Sequence, residues 1–257
     1  MSEDPPSGSS DEHYAAVAAR YEQSAFYDPA SSYNRWLIPH VVAALGLEPA
    51  SRFADLGGGT GAFTAALSEA AGLTTLPSVV EPSPLREQAT ARGLPGLDED
   101  AATFAGSPGV ADWDALLLKE VVHHLSLGAF PEICLGLARR LSAHGRLVTI
   151  TRPVEPDYPL FSAAKIVWRM NQPPASRYVS ALEAAGLEVE EQEHAFRFEI
   201  PREEWFTLVR NRFWSTFSAF SDEQLEAGIR ELEERYKDPI LSFEDRLVFL
   251  VAKHAGP

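Results

Sequence analysis

The chain is 257 residues long, 45% hydrophobic, with a formal net charge of −15. That length and apolar content are enough to bury a sizeable core, so one domain with elaborations is expected rather than two independent ones. The acidic balance, with no basic run, argues against nucleic acid as a partner, because phosphate binding needs a cationic face, and it favours a small-molecule substrate. The single cysteine, Cys134, allows neither a disulfide framework nor a cysteine zinc site, and its helical surroundings read as core. No apolar run reaches membrane-spanning length, and residues 1–10 lack the basic start and apolar stretch of a signal peptide. A cytoplasmic protein with no membrane partner is expected.

Residues 1–10 are acidic and rich in Ser and Pro and read as a disordered tail. Residues 11–46 read as an N-terminal helical cap. Its first helix starts at Asp11 and carries Tyr14, Val17, Ala18 and Tyr21 on one face; its second, 32–45, carries Trp36, Leu37, Val41 and Leu45. Strands and helices then alternate through a core over 47–152. Strands are predicted at 52–56, 76–80, weakly at 97–102, and at 114–118 and 146–150, with helices at 60–71, 84–92 and 130–142. Over 153–257 the core resumes, with a helix at 177–185 and strands at 187–198 and 245–253. Two cap insertions, 153–174 and 202–238, interrupt it, the second holding helices 202–217 and 222–236. The pattern predicts an α/β fold, a Rossmann-like doubly wound, mostly parallel sheet with helical cap insertions. In such sheets ligands bind beyond the carboxyl ends of the strands.

The most informative stretch is Phe53-Ala54-Asp55-Leu56-Gly57-Gly58-Gly59-Thr60-Gly61, a buried strand, a glycine turn and a helix start. Glycines permit positive φ and close approach of a ligand to the backbone, while the amides and the helix N-terminus face a charged group. Two cofactor classes fit. Gly57-x-Gly59-x-x-Ala62 with Glu81 matches the dinucleotide pattern and would make the chain an NAD-dependent oxidoreductase. Asp55, two residues before the first glycine, and Gly61 complete an Asp-x-Gly-x-Gly-x-Gly pattern. This run resembles the first motif of the class I S-adenosylmethionine-dependent methyltransferases.

That resemblance implies S-adenosyl-L-methionine as cofactor, held by Asp55, Gly57, Gly58, Gly59 and Gly61. Glu81, after Val79-Val80, would take the ribose hydroxyls, as a carboxylate that only accepts hydrogen bonds can. Asp100 and Ala101 would meet the adenine, with Asp98 or Glu99 as alternatives to Asp100, and Asp55 would lie near the methionine ammonium. The run Asp114 to Leu125 looks like the family's fourth segment, with His123-His124 between apolar residues. That doublet is frequent in small-molecule methyltransferases and rare in dehydrogenases. Lys119 and Glu120 stand where small or amide residues are common; Lys119 is read as a cofactor contact at the methionine end. Glu120, His123 and His124 are the candidate catalytic groups, although Glu120 is equally explained as a partner of Lys119 and one histidine as a packing residue.

Methyl transfer from a sulfonium asks mainly for an in-line nucleophile and exclusion of water. A base within reach adds roughly 10²-fold to 10⁴-fold for a hydroxyl or carbon acceptor. Tyr21, Arg152, Trp168, Arg210 and Trp214 are the candidate substrate contacts. Converging arginines, with Arg169 and Arg212 in addition, would suit a carboxylate or phosphate, and Trp168 and Trp214 could line an aromatic pocket, so an aromatic or acidic acceptor is expected; surface positions account for the arginines as well, and helix packing for Tyr21. The expected activity is methylation of a small molecule in specialised metabolism, O-methylation ahead of C- or N-methylation. The oxidoreductase lacks a Tyr-x-x-x-Lys pair, and a non-catalytic cofactor-binding partner protein is the second rival. No metal-ligand spacing is present.

Overall fold

The computed structural model describes Phe26, residues 28–108 and residues 112–256. The predicted tail, the helix from Asp11, and with it Tyr14 and Tyr21, lie outside the described residues. The first described helix is α1, Ser32–Leu45, where Ser31 caps the Asn34 amide at 3.1 Å and Gly46, at φ 62°, closes the end.

The core then alternates through β1 (Phe53–Leu56), α2 (Ala62–Ala71), β2 (Ser78–Val80), α3 (Arg86–Ala91), β3 (Gly96–Leu97), α4 (Ala101–Gly106) and β4 (Trp113–Lys119). After a short 3₁₀ turn, Val122–His124, come α5 (Phe130–Arg140), β5 (Leu141–Thr151), α6 (Ser162–Asn171), α7 (Ala175–Ala184) and β6 (Leu187–Pro201). The chain ends with α8 (Arg202–Arg210), a 3₁₀ turn at Ser215–Ala219, α9 (Asp222–Arg235) and β7 (Ile240–His254). One seven-stranded sheet results, in the order β3-β2-β1-β4-β5-β7-β6. The pairs from β3 to β5 are parallel; β7 runs antiparallel to β5, and β6 to β7. Because β1 and β4 sit side by side, the strand order reverses there, and in open sheets of this kind ligands bind beyond the carboxyl ends of the strands at such a reversal. No helix among the described residues is long and apolar enough to cross a membrane.

Strand periodicity divides the interior into two layers. Phe53, Ala115, Leu117, Val148 and Ile150 face one side, against α1 and the cap residues Trp205, Phe206 and Phe217. Ala54, Leu56, Leu116, Leu118 and Leu147 face the other, with Phe104, Phe130, Leu137, Tyr178 and Leu182. Cys134 is fully buried in that second layer, and burial pushes its thiol up to about 12, as suits a packing residue.

Three elements differ from the sequence reading. The weak strand 97–102 is only Gly96–Leu97, because Asp100 accepts from the Thr103 amide at 2.7 Å and starts helix α4 instead. The helix predicted at 202–217 stops at Arg210, where Arg212 takes a left-handed backbone at φ 51° before the second 3₁₀ turn. The last two strands are longer than predicted, since β6 and β7 pair over their whole length, from Leu187 opposite His254 to Pro201 opposite Ile240.

Phe249, on β7, is fully buried against α1 and the cap. Phe249→Ala is expected to cost about 3–5 kcal/mol, read as a lowered midpoint in denaturant unfolding.

Candidate active site

The glycine turn leaves β1 at the reversal in strand order. Gly57, Gly59 and Gly61 have φ of 78°, 57° and 73°, which side chains other than glycine adopt at a cost. At Gly57 a Cβ would also lie 2.5 Å from Val121 Cγ2, and at Gly61 2.8 Å from Ala89 Cβ. Gly58 lacks a positive φ, yet its Cβ would lie 3.0 Å from the Asp55 carboxylate. Gly61 is the N-cap of α2 and brings no side chain to the helix amides, and the Thr60 hydroxyl accepts from the Ala62 amide at 3.4 Å.

Acidic groups surround this turn. Glu81, directly after β2, is buried; its Oε2 accepts from the Gly59 amide and its Oε1 from the Ser83 amide, both at 3.0 Å. One carboxylate oxygen thereby meets the glycine turn and the other the chain just after β2, each with lone pairs to spare. Asp55 is buried within β1 and accepts from Thr64 Oγ1 at 2.6 Å. Burial raises its carboxyl to about 6, against the Thr64 bond and the nearby Lys119 charge. Lys119, at the end of β4, is pushed down to about 8 by burial and then by Arg152, and its ammonium lies 4.7 Å from the centre of the Phe63 ring. Asp100 is exposed, with one oxygen capping α4, and Ala101 is buried behind it. Asp98 pairs with Arg86 at 2.5 Å.

Beyond β4 the chain turns sharply. Glu120 has φ 60°, unusual for a non-glycine residue, and its Oε2 pairs with Arg152 Nη1. Arg152, just past β5, donates from Nε to Tyr158 Oη at 2.6 Å and to Asp245 Oδ1 at 3.1 Å, and from Nη2 to Asp245 Oδ2 at 3.2 Å. The Tyr158 hydroxyl donates to Asp245, and the Tyr33 hydroxyl of α1 bonds to the same carboxylate. Burial alone would lower the Arg152 pKa, but Asp245 and Tyr158 hold it above the ordinary value. Burial raises both tyrosines well above theirs. Asp245, Tyr158 and Tyr33 escaped the sequence reading. Asp245 stands in the charged run Glu244-Asp245-Arg246, where nothing in the sequence singles it out from its neighbours.

His123 and His124 occupy the 3₁₀ turn after Glu120 with ring centres 4.0 Å apart. Burial, and then His124, push the His123 pKa well down, so that ring is neutral at pH 7. Of the substrate candidates, Trp168 and Trp214 are buried and pack on Tyr158 at 5.5 and 4.5 Å between ring centres. Arg210 is turned to solvent and paired with Glu226 at 2.9 Å. The other arginines do not converge either, since Arg169 pairs with Glu155 and Arg212 with Asp222, each at 2.7 Å. The cationic cluster that an acidic acceptor would need is therefore not formed by these residues.

No protein-family model and no curated protein matches the sequence. Solved structures do match. One is a protein named as a methyltransferase from an antibiotic biosynthesis pathway of Anabaena variabilis, at 19% identity over 83% of this chain and 95% of that one, TM-score 0.61. The chain has the fold of these methyltransferases. A phosphoethanolamine N-methyltransferase of Haemonchus contortus, solved with phosphomonomethylethanolamine and S-adenosylhomocysteine, aligns at 14% identity over 96% of this chain and 58% of that one, TM-score 0.59. The [4+2]-cyclase SpnF aligns at 16% identity over 98% of each chain, TM-score 0.58. The shared fold thus spans more than one chemistry.

Asp55 yields a signed test. Its folded value, about 6, exceeds the ordinary 3.8, so the folded state holds the proton more tightly. Its favourable contribution is full below about pH 3.8 and is lost as pH rises through about 6. Asp55→Asn should therefore become progressively more stable than the parent between pH 4 and 7, reaching a gain on the order of 3 kcal/mol by urea unfolding.

Proposed function

We propose that the protein transfers the methyl group of S-adenosylmethionine to a small-molecule acceptor, O-methylation being favoured, in specialised metabolism and in the cytoplasm. The reading rests on one observation above the rest: the glycine turn sits at the reversal of strand order with Glu81 bonded to its Gly59 amide. In this reading Glu81 receives the ribose hydroxyls, Asp100 and Ala101 the adenine, and the backbone of Gly57, Gly58, Gly59 and Gly61 the sugar and methionine portions. Asp55 faces the methionine ammonium and Lys119 its carboxylate, two opposite charges that balance across β1 and β4. The cofactor supplies an electrophilic methyl on a sulfonium; the chain's own task is to orient the acceptor, keep water out and hold a proton acceptor at hand. Neutral His123, or Glu120, meets that last need, with His124 beside them.

The sheet order speaks against the oxidoreductase. The dinucleotide-binding arrangement runs 3-2-1-4-5-6, whereas here antiparallel β7 is inserted between β5 and β6. The SpnF likeness keeps a non-methylating activity as the second reading.

Incubation with S-adenosylmethionine and a panel of hydroxyl, amine and carbon acceptors tests the proposal, with S-adenosylhomocysteine and methylated product read by mass spectrometry. Acceptor-dependent release is expected, lowered at least about tenfold by Glu81→Ala, as loss of hydrogen bonds to a charged acceptor would do. Product formation without consumption of S-adenosylmethionine would favour the second reading.

A further inference from the structure

Glu120 is the one member of the Arg152 network left half satisfied. Its Oε2 pairs with Arg152, while its Oε1 is buried with no hydrogen-bond partner. A carboxylate oxygen taken out of water without a donor is unfavourable, and so is a left-handed backbone at a glutamate. Both costs fall on the same residue. It stands at the carboxyl end of β4, next to Val121, which lies against Gly57 of the glycine turn. A position of this kind is one that a ligand completes.

The charges around it define the ligand. Two cations, Arg152 and Lys119, stand among three carboxylates, Glu120, Asp245 and Asp55, so the group carries one net negative charge. Tyr33 and Tyr158 add neutral hydroxyls, both bonded to Asp245. On the cofactor side, Lys119 and Asp55 offset each other. Arg169, Arg210 and Arg212 are each engaged by a carboxylate of their own. An anion placed against Glu120 Oε1 would meet repulsion; a donor would supply the missing bond.

We propose that Glu120 Oε1 is the anchor of the methyl acceptor, which presents to it a hydrogen-bond donor, best a protonated amine, in place of a carboxylate or phosphate. The proposal rests on the methyltransferase reading of the site. Asp245 is then a positioning residue: through its two bonds to Arg152 it fixes the guanidinium that holds Glu120.

The test uses the protein saturated with S-adenosylhomocysteine and three probes that share one aromatic skeleton: 2-phenylethylamine, 2-phenylethanol and phenylacetate. Because the skeleton is shared, the three probes differ only in the group they offer to Glu120 Oε1. Binding is followed by tryptophan fluorescence or calorimetry. The amine is expected to bind at least about tenfold more tightly than phenylacetate, with the alcohol between them. Glu120→Gln should bring amine and anion to within about threefold of each other, and Glu120→Ala serves where the glutamine variant fails to give a cooperative melt. The ranking on the parent protein needs no variant. Preference for phenylacetate, no binding of any probe, or an amine preference unchanged by both variants overturns the proposal while leaving the cofactor site standing. Failure of S-adenosylhomocysteine to bind removes the methyltransferase reading itself.

Discussion

The contact between Gly57 and Val121 holds the two halves of the site together. Gly57 ends the strand that delivers the glycine turn; Val121 follows the strand that delivers Lys119 and Glu120. With φ at 78° and room for no Cβ, the turn can lie flat against the next strand's exit. The residues proposed for the cofactor and for the acceptor are thereby carried at the same end of two neighbouring parallel strands, and the rest of the sheet serves to hold those strands in place.

The acceptor side is built differently, from charges removed from water. Arg152 and Glu120 follow the ends of β5 and β4, Asp245 lies within β7, and Tyr33 and Tyr158 come from α1 and the 153–174 insertion. Burying such a cluster is unfavourable unless its hydrogen bonds are made, and removing one partner strands the others. The network therefore links the cap to the sheet. Among its members only one carboxylate oxygen, on Glu120, is left without a hydrogen-bond partner.

Much of this was legible in the sequence. Alternating apolar strands and amphipathic helices announce the parallel sheet, and the glycine spacing announces a ligand turn, because both are local patterns. Glu81 follows from its place after two valines, and it does meet the glycine turn. The weak third strand was misplaced because Asp100 caps a helix, a role an acid takes as readily as a binding one. Asp245, Tyr158 and the pairing of Arg152 were not visible, since they lie 93 and 6 residues from Arg152 and meet it only through the fold. The arginines that seemed free to converge found nearby carboxylates, as an acidic chain makes easy. The antiparallel last strand, which separates this sheet from the dinucleotide-binding order, depends on how β6 and β7 pair, and no spacing in the chain records that.

The most direct measurement is calorimetric titration of the purified protein with S-adenosylhomocysteine and, separately, with NADH. A saturable, micromolar-range isotherm is expected for S-adenosylhomocysteine and none for NADH. Saturable binding of NADH alone would contradict it, and the glycine turn would then belong to a dinucleotide.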